Sequence, residues 1–408
     1  MNEEFDAVVV GGGPCGSFSA FTMAKQGMNV IVCEEHKEIG VPTHCAGHLS
    51  LSGLKRLGLH LPSNVVENEF KGAVLHSPHG KEFSVRLNSP VTCVVNRELF
   101  DKYLSNLAVK AGVQYLFGSR VESLVVDSDF VRGVTTKRER TKKTLASSLV
   151  IDAEGCSSIL LKKAGLQTLD RSMIVNAAQA EVDSVDDINM NAVEVYLGRK
   201  YASGFFAWII PRRDTSAKVG LATNMGNPQE HLHRFMQKHP VASKKLRKSK
   251  ITHLSLHPIS LGGAIPKTYS NGLLIVGDAA SQVKPTTGGG VIFGLLCSGI
   301  AGKVAYEALQ NHDFSEAFLS HYQLRWKQRI GFDLAAMGQI RNLLNRLSDY
   351  KIDKIVDLCE RLGMDAVLEE VGDLDFQGAS LIRMIRRPST VVMTLYSIFS
   401  ALTSSIWE

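Results

Sequence analysis

The sequence predicts an α/β protein in which a βαβ domain with a parallel sheet is interrupted by a second, antiparallel β-sheet domain. At the start of the chain, an apolar strand leads through a glycine-rich loop into a helix. Two later apolar runs end at an acidic residue and a glycine. Short runs between these segments alternate apolar and polar residues, as antiparallel strands do. A chain of 408 residues is long enough for about two or three packed units.

The first strand, loop and helix predict a nucleotide-binding unit of the Rossmann type. Phe5–Val10 is an apolar run interrupted only by Asp6, and Ser17–Gln26 has the composition of a helix. The three glycines of a G-x-G-x-x-G pattern between them are Gly11, Gly13 and Gly16. The first permits a tight turn, the second lets the backbone approach a pyrophosphate, and the third lets helix and strand pack closely. The helix N-terminus offers unpaired N–H groups to phosphate.

A second strand makes this pattern more specific than the glycines alone. Asn29–Cys33 is apolar and ends at Glu34, where a carboxylate accepts hydrogen bonds from ribose hydroxyls. A carboxylate at that position repels a 2′-phosphate. The sequence therefore predicts FAD or NAD in this site, and not NADP.

Two further segments read as junctions between a strand and a turn. Residues 149–155 form a short apolar run closed by an acid and a glycine, and residues 272–280 repeat the pattern. The second segment continues into a glycine-rich loop and then into Val291–Leu309, which has the composition of a long helix. A helix that starts there directs its positive end toward a bound anionic group.

These motifs, in this order, resemble the FAD-dependent superfamily of the glutathione-reductase-like kind, in the branch of the aromatic hydroxylases. The likeness covers residues 5–310 and implies FAD as the cofactor. By resemblance, Glu34 binds the adenosine ribose, Arg97 lies near the pyrophosphate and Asp278 binds the ribityl chain. The other residues that the resemblance assigns to the cofactor are Gly11, Gly13, Gly16, Glu35, Cys45, Ala46, Val121, Gly288, Gly289, Gly290 and Val291.

Three local segments resemble the geranylgeranyl reductase family, which hydrogenates isoprenoid double bonds. Glu38–Ser50 is similar to its E-I-G-x-P-x-x-C segment, and Gly277–Gly290 is similar to its G-D-A-A-x-x-x-x-P-x-x-G-G-G segment. Phe206–Pro211 is similar to its Y-x-W-x-F-P pattern, although Phe206 replaces the tyrosine and Ile210 the phenylalanine. The resemblance implies FAD-dependent reduction of geranylgeranyl chains in lipids of the archaeal type.

Reduction of an unpolarised alkene needs a hydride from reduced flavin, a proton for the other carbon, and an environment without water. Cys45 is the candidate proton donor, because a thiol with an ordinary pKa near 8.5 is protonated at neutral pH. The alternative is that Cys45 is a small packed residue. The residues expected to line an apolar substrate site are Phe206, Trp208 and Pro211, in a segment that also reads as a buried strand.

Composition excludes several classes of protein. The seven cysteines are scattered and form no C-x-x-C pair, so we expect neither a zinc nor an iron–sulfur site. The chain starts with acidic residues instead of a basic secretory signal, so we expect a cytoplasmic protein with reduced thiols. No recognition motif for nucleic acid accompanies the formal charge of +6.

A basic stretch at residues 238–250 is either a solvated face or a docking site for an anionic partner. No second glycine pattern marks a separate NADPH site. We therefore expect a ferredoxin-like protein that docks on this stretch as the electron donor, with NADPH as the alternative. The uncharged stretch Pro388–Ile406 follows three arginines. It predicts a helix in the interface of the membrane's inner face, a helix docked on the protein itself, or a marginal transmembrane span.

The expected domains are discontinuous. The FAD-binding domain comprises residues 1–70, 91–165 and 265–310, the inserted substrate domain residues 71–90 and 166–264, and a C-terminal helical region residues 311–408. Two other functions share the FAD motifs. One is an aromatic monooxygenase that uses oxygen, and the other is an electron-transfer flavoprotein.

Overall fold

The computed structural model describes residues 4–371 and, beyond them, residues 375–378, 380, 387, 390, 393–394, 396–398 and 400. The chain divides into two compact units. The first unit comprises Met1–Thr43, Arg97–Asp170 and Ser260–Leu334. The second unit comprises His44–Asn96, Arg171–Ile259 and Ala335–Glu408.

The strands and helices of the described residues follow in chain order. The strands are β1 (Glu4–Val10), β2 (Val30–Cys33), β3 (His48–Ser50), β4 (Val66–Phe70), β5 (Gly72–His76), β6 (Glu82–Arg86), β7 (Thr92–Val95), β8 (Gln114–Leu116), β9 (Arg120–Asp127), β10 (Phe130–Arg138), β11 (Thr141–Asp152), β12 (Ile174–Asp183), β13 (Ala192–Tyr196), β14 (Ala207–Pro211), β15 (Ala217–Thr223), β16 (Lys250–Ser260), β17 (Tyr269–Ser270) and β18 (Leu273–Ile275). The helices are α1 (Pro14–Ala24), α2 (Leu51–Arg56), α3 (Arg97–Lys110), α4 (Ile159–Lys163), α5 (Arg199–Ala202), α6 (Pro228–Lys238), α7 (Ala242–Lys245), α8 (Val291–Asn311), α9 (Glu316–Trp326), α10 (Phe332–Leu344), α11 (Asp349–Arg361) and α12 (Met364–Val371).

The first unit is built on a sheet with the strand order β17-β18-β11-β1-β2-β8, to which β10 and β9 are added beside β11. Strand β1 runs parallel to β2 and to β11, and β11 runs parallel to β18. Val10 at the end of β1 pairs with Asp152 on one side and Cys33 on the other, and Asp152 pairs with Ile275. The loops that follow these four strands therefore leave the sheet at one edge, which confirms the predicted nucleotide-binding topology.

Helices α1 and α8 pack closely in this unit. A Cβ atom added to Gly302 of α8 would lie 2.7 Å from Cβ of Thr22 on α1, so the glycine lets the two backbones approach. Helix α8 is the single helix among the described residues that is long and apolar enough to cross a membrane, and most of that apolar stretch is buried within the protein. We therefore interpret α8 as a core helix.

The second unit contains a seven-stranded sheet with the order β16-β12-β15-β14-β13-β5-β6. The pairs of β12 with β15, β15 with β14, β14 with β13 and β5 with β6 are antiparallel as expected, whereas β13 runs parallel to β5. Cross-strand neighbours share a face of a sheet. Gln179, Gly220 and Trp208 are neighbours across β12, β15 and β14 and define the Trp208 face. The next residue along each strand belongs to the opposite, Ile209 face.

The Ile209 face carries the main core of the second unit. Ala180, Val219 and Ile209 are fully buried there and belong to one cluster with Leu232 and Phe235 of α6. At roughly 25 cal/mol for each Å² of apolar surface removed from water, such burial is the main stabilising contribution of the sheet. One face of the sheet is therefore a packed core. The Trp208 face is also buried at Trp208 and Ile210, which are 9% and 5% exposed.

The domain boundaries differ from those expected from the sequence. Residues 44–70 and 91–96 belong to the second unit because β3, β7 and β4 pair into a three-stranded sheet of their own. The C-terminal helices do not form a separate region in the part of the chain that the structure describes. Residues up to 334 join the first unit, where the Tyr322 hydroxyl donates to the Ile275 carbonyl at 2.9 Å. Helices α11 and α12 instead place Val356 and Val367 against Phe83 of β6.

The expectation for the stretch Pro388–Ile406 lies largely outside the described residues. Only isolated positions of that stretch are described. Its three alternatives therefore stay predictions.

A buried polar cluster lies on the Ile209 face of the second unit. The Glu194 carboxylate accepts hydrogen bonds from His76 Nε2 at 2.9 Å, from the Tyr196 hydroxyl at 2.5 Å and from Lys245 Nζ at 2.6 Å. Burial alone would raise its pKa, but these three partners lower the pKa of Glu194 to about 2. Burial, with the nearby His76, lowers the pKa of His239 to about 4.

We predict that His239 makes the protein less stable as the pH falls from about 6.5 to about 4. The unfolded chain protonates this imidazole near pH 6.5, whereas the folded protein does so only near pH 4. In the folded protein, Nδ1 of His239 accepts N–H groups of Val241 and Ala242, both at 3.2 Å, and its protonation would break both bonds. The free energy of unfolding therefore decreases in this window with a slope of about 1.4 kcal/mol per pH unit from this residue.

Urea unfolding between pH 7 and pH 4 measures this effect. His239→Asn keeps an acceptor near the position of Nδ1 but cannot be protonated, so its free energy of unfolding should depend less on pH by that slope. His233→Asn, on the exposed face of α6, is the matched control and should follow the parent protein. Equal slopes for the parent and the His239→Asn protein would contradict the assignment.

Candidate functional site

The glycine loop after β1 is held by close backbone contacts. Gly11 has φ +91°, and a Cβ atom added to it would lie 2.5 Å from the Ala153 carbonyl oxygen. A Cβ atom on Gly16 would lie 1.9 Å from the Gly11 carbonyl oxygen. Both positions therefore require glycine, for the reasons of turn conformation and close packing that the sequence suggested.

Gly13 differs from its neighbours because a Cβ atom added to it would meet no atom within 4 Å. Gly13 is also the N-cap of α1, and no side chain caps this helix. The first turn of α1 contains no acidic residue that would compete for its N–H groups. The open space at Gly13 and the uncapped positive end of the helix fit the pyrophosphate of a dinucleotide.

Glu34 follows β2 at the same edge of the sheet, and its carboxylate is only 8% exposed. Its Oε2 accepts the Gly12 N–H at 2.7 Å, and its Oε1 accepts the His36 N–H at 2.8 Å. These bonds tie the ribose-binding candidate directly to the glycine loop. Oε1 also lies 2.6 Å from His36 Nδ1, so Oε2 is the oxygen that keeps acceptor capacity for a ribose hydroxyl.

Glu35 and Val121, which were also assigned to the cofactor, have other surroundings. The Glu35 side chain is about half exposed, and its carboxylate lies 3.6 Å from the Arg120 guanidinium. The Val121 side chain is buried in the hydrophobic core of the first unit. In this structure, Glu35 takes part in a surface ion pair and Val121 packs in the hydrophobic core.

Asp278 and Gly290 lie side by side, which brings the late G-D motif against the loop before α8. A Cβ atom on Gly290 would lie 2.8 Å from Asp278 Oδ1, so only glycine leaves room for this carboxylate. Burial raises the pKa of Asp278, and the charge of Arg97 opposes this increase. Arg97 is itself oriented by two bonds of 3.0 Å from its Nε and Nη2 atoms to the Asp101 carboxylate.

The Cys15 thiol packs where the first and last motifs meet. A Cβ atom would lie 2.6 Å from its sulfur if added to Gly277, and 2.5 Å if added to Gly294 of α8. Burial, together with the charge of Asp278, raises the pKa of Cys15 to about 12, so the thiol stays neutral. Sequence reasoning missed this residue because a variable position of the glycine pattern carries no signal for its packing.

Helix α8 begins at Val291, as predicted, and Gly290 is its N-cap. No side chain caps this helix, and its first turn contains no acidic residue. Gly288, with φ +67°, turns the chain toward the helix. The Lys284 ammonium lies 5.6 Å from the centre of the Phe293 ring, above its face. An uncapped helix start of this kind stabilises negative charge on a ligand placed there.

Asp152 ends β11 and is completely buried. Its Oδ1 accepts the Glu154 N–H at 3.0 Å. Burial, followed by the charge of Glu154, raises the pKa of Asp152 well above its usual range. Burial and the neighbouring carboxylate thus both favour the neutral form of this side chain over the anion.

In the second unit, Cys45 lies in a turn just before β3. The Gly47 N–H points at the Cys45 sulfur, with 3.4 Å between nitrogen and sulfur. The Lys218 ammonium donates to the carbonyl oxygens of Ala46 and Val95, both at 3.1 Å. Since Lys218 and Ile210 are register neighbours, these bonds attach the Cys45 turn to the Trp208 face of the sheet.

Trp208 itself packs on Gly220, where a Cβ atom would lie 2.4 Å from the indole ring. Its Nε1–H donates to Gln179 Oε1 at 3.3 Å, which satisfies the polar atom of the ring. Phe206 meets the indole edge-on with 6.0 Å between ring centres. This part of the face therefore presents aromatic surface with its polar atom already paired.

Pro211 was expected at the same surface, but it does not share the face of the sheet that carries Trp208. Pro211 pairs with Ala217, one residue out of step with Trp208 and Ile210. Side chains alternate between the faces of a strand, so Pro211 belongs to the Ile209 face. Phe206 and Trp208 remain as candidates for an apolar ligand.

The basic stretch at 238–250 is only partly available for a partner. Lys245 is paired with the buried Glu194 at 2.6 Å, and Lys248 lies 3.3 Å from Asp186. Lys244, Arg247 and Lys250 are exposed. Within the described residues, no group of three or more histidine, cysteine or acidic side chains is arranged to hold a metal ion.

Comparison with known proteins shows the same combination of features in other chains. The protein-family model described as "FAD binding domain" matches residues 4–295. The chain is 33% identical to the digeranylgeranylglycerophospholipid reductase of Methanocaldococcus jannaschii, over 88% of this chain and 91% of that protein. It is 33% identical to digeranylgeranylglycerophospholipid reductase 1 of Methanococcoides burtonii, over 94% of this chain and 92% of that protein.

Solved structures agree with this relationship. A geranylgeranyl bacteriochlorophyll reductase-like protein of Thermoplasma acidophilum superposes with a TM-score of 0.86 and 27% identity, over 97% of this chain and 99% of that chain. A flavin-dependent brominase superposes with a TM-score of 0.67 and 18% identity, over 98% of this chain and 94% of that chain, which shows a shared fold alone. The chain therefore belongs to the FAD-binding flavoproteins and, among them, to the family of the digeranylgeranylglycerophospholipid reductases.

Proposed function

We propose that this protein is an FAD-dependent reductase of the isoprenoid double bonds in digeranylgeranylglycerophospholipid. The observation that carries the proposal is the extent of the likeness to the reductases, which covers 88% of this chain and therefore includes much of the second unit. The FAD motifs alone are shared with halogenases and monooxygenases.

In this proposal, the first unit holds FAD along the common edge of its sheet. The pyrophosphate occupies the open space at Gly13, and Glu34 accepts hydrogen bonds from the adenosine ribose. Asp278, supported by Arg97, accepts hydrogen bonds from the ribityl chain. The uncapped start of α8 would favour negative charge on the reduced flavin if the flavin lay beside it. Reduced FAD, when bound, supplies the hydride for the alkene.

The Trp208 face provides the surface for the isoprenoid chain. Phe206 and Trp208 offer aromatic area, and the bond to Gln179 leaves no unpaired indole N–H against the lipid. An apolar wall that excludes water favours hydride transfer over side reactions. In this proposal, side chains of the protein thus bind the isoprenoid and orient its double bond.

Cys45 is the proposed proton donor. As hydride adds to one alkene carbon, the S–H bond of Cys45 breaks and its proton forms a C–H bond at the other carbon. The thiolate that remains is reprotonated from solvent. The Gly47 N–H, 3.4 Å from the sulfur, stabilises that negative charge.

The remaining partners are an electron donor and a membrane surface. The exposed cations Lys244, Arg247 and Lys250 suit an anionic electron donor, such as a reduced ferredoxin-like protein, and NADPH is the alternative. Because the substrate is a membrane lipid, we place the protein at the cytoplasmic face of the membrane as a peripheral protein.

Anaerobic reoxidation of the flavin tests the function. Dithionite-reduced protein mixed with digeranylgeranylglycerophospholipid should return to the oxidised flavin spectrum, while mass spectrometry shows two hydrogen atoms gained for each reduced double bond. The saturated lipid is the control and should leave the flavin reduced. A reduced flavin that ignores the unsaturated lipid but reacts with oxygen when an aromatic substrate is present would instead support the monooxygenase.

We predict that Gly13→Ala weakens FAD binding by about tenfold or more without destabilising the fold. The added methyl group meets no protein atom but enters the space proposed for the pyrophosphate. Equilibrium dialysis of FAD against the apoprotein measures the affinity, and a thermal melt of the apoprotein checks the fold. Gly338→Ala, where a Cβ atom also meets no atom within 4 Å, is the matched control and should bind FAD normally. Equal FAD affinity for the Gly13→Ala protein and the parent would sink this placement.

We predict that Cys45→Ala lowers turnover of the lipid by about a hundredfold or more, which is typical for the loss of a general acid. FAD content and substrate affinity should stay near those of the parent, because the change removes only a proton source. Stopped-flow measurement of flavin reoxidation by lipid gives the rate. Cys359→Ala, on α11, is the control and should turn over at the parent rate. Full turnover in the Cys45→Ala protein would show that another group donates the proton.

A further inference from the structure

Lys218 is a buried cation of the second unit that the proposed reaction does not yet use. It lies on β15, its residue is 3% exposed, and it is surrounded by partners for all three of its N–H donors. Its Nζ atom lies 3.1 Å from the Ala46 carbonyl oxygen, 3.1 Å from the Val95 carbonyl oxygen and 3.5 Å from Glu67 Oε2. A buried ammonium is costly unless each donor is satisfied, so this position is specifically built.

One of these contacts leads directly to Cys45. The carbonyl of Ala46 and the N–H of Gly47 are the two ends of a single planar peptide group. Lys218 donates to the oxygen end, and the nitrogen end donates to the Cys45 sulfur at 3.4 Å. A cation at the carbonyl polarises the group and makes its N–H a stronger donor, as in other hydrogen-bonded chains in a low-dielectric interior.

We infer that Lys218 is a positioning residue for Cys45, acting through the Ala46–Gly47 peptide group. The ammonium fixes the orientation of that group and strengthens the hydrogen bond from Gly47 to the sulfur. The thiolate that forms when Cys45 gives up its proton is then stabilised without a direct contact to a cation. This inference rests on the proposed role of Cys45, although the interaction itself can be tested without any lipid.

The carboxylates near Lys218 favour its cationic form against the effect of burial. Burial lowers the pKa of Lys218, and the carboxylates of Glu67 and Glu181 oppose this decrease. Arg212 binds both carboxylates, at 2.5 Å to Glu67 and at 2.7 Å to Glu181. The cluster thus contains two cations and two anions, so its charges sum to zero. Cys45 still experiences a positive charge from this cluster, because Lys218 is the member bonded to the Cys45 turn.

Three imidazoles lie in the segments around Cys45. His44 stacks on His257 with 5.1 Å between ring centres, and His48 Nε2 lies 2.8 Å from Thr92 Oγ1. All three are present in the parent and in variants of Lys218. A comparison of variants at each pH therefore isolates the contribution of Lys218.

The test is the pH profile of Cys45 alkylation in the FAD-loaded protein. Iodoacetamide reacts with the thiolate, and mass spectrometry of the peptide that contains Cys45 gives the rate, with Cys45→Ser as the blank. Lys218→Met should slow alkylation about tenfold at pH 8 and move the midpoint of the profile to higher pH by about one unit. Lys218→Arg, which keeps a cationic donor, should restore most of the rate. Lys71→Met, at an exposed lysine of the same unit, should match the parent.

Lys218→Gln provides a second variant in case the methionine protein does not fold. Glutamine keeps N–H donors but lacks the charge, so the glutamine protein should also be slow and Lys218→Arg should be faster than it. Thermal melts and FAD absorbance establish which variants are folded. A folded methionine or glutamine protein with the parent profile would overturn the inference, and so would an arginine protein as slow as the glutamine protein.

Failure of the proposed function gives a different pattern. If Cys45→Ala turns over lipid normally while Lys218→Met still shifts the alkylation profile, the coupling holds and the role of Cys45 as proton donor is wrong. If Cys45→Ala abolishes turnover but alkylation in Lys218→Met is unchanged, the proton donor is right and the inference about Lys218 is wrong.

Discussion

The first unit depends on the alignment of parallel strands at one edge of its sheet. Val10, Cys33, Asp152 and Ile275 end their strands in register, so four loops with polar or glycine residues leave the sheet together. The alignment requires glycine at Gly11, where any side chain would strike the Ala153 carbonyl. Because backbone packs directly on backbone there, the positions of Gly13 and α1 beside Glu34 are fixed. The nucleotide site is a consequence of this close contact.

The two faces of the large sheet in the second unit divide structure from function. On the Ile209 face, the charges of Glu194 and Lys245 neutralise each other within a cluster that also contains His76 and Tyr196. On the Trp208 face, Lys218 directs its charge into the backbone of the Cys45 turn. Both groups are buried and both are satisfied. They differ in what their bonds reach, and the bonds of Lys218 extend to the Ala46 carbonyl beside Cys45.

Burial favours the neutral form of a cysteine and of two carboxylic acids in the first unit. Burial raises the pKa of Cys15 to about 12, which makes this thiol a packing element where the motifs meet. Burial also raises the pKa of Asp152 and of Asp278. For Asp278, the charge of the Arg97 guanidinium opposes the increase in pKa and favours the carboxylate, which is the better hydrogen-bond acceptor for a polar ligand.

Local sequence by itself determined the βαβ unit, its glycines, the ribose-binding acid and the start of α8 at Val291. Strand period, turn conformation and helix capping all depend on residues close in the chain. The FAD family could be recognised for the same reason. Only the tertiary structure decided where the units divide, because β3, β4 and β7 pair with one another across segments that are distant in sequence. It also decided that Pro211 faces away from Trp208, and that Lys218 reaches Ala46. Strand register sets both results, and no local pattern in the sequence records which residue of one strand lies opposite which residue of the next.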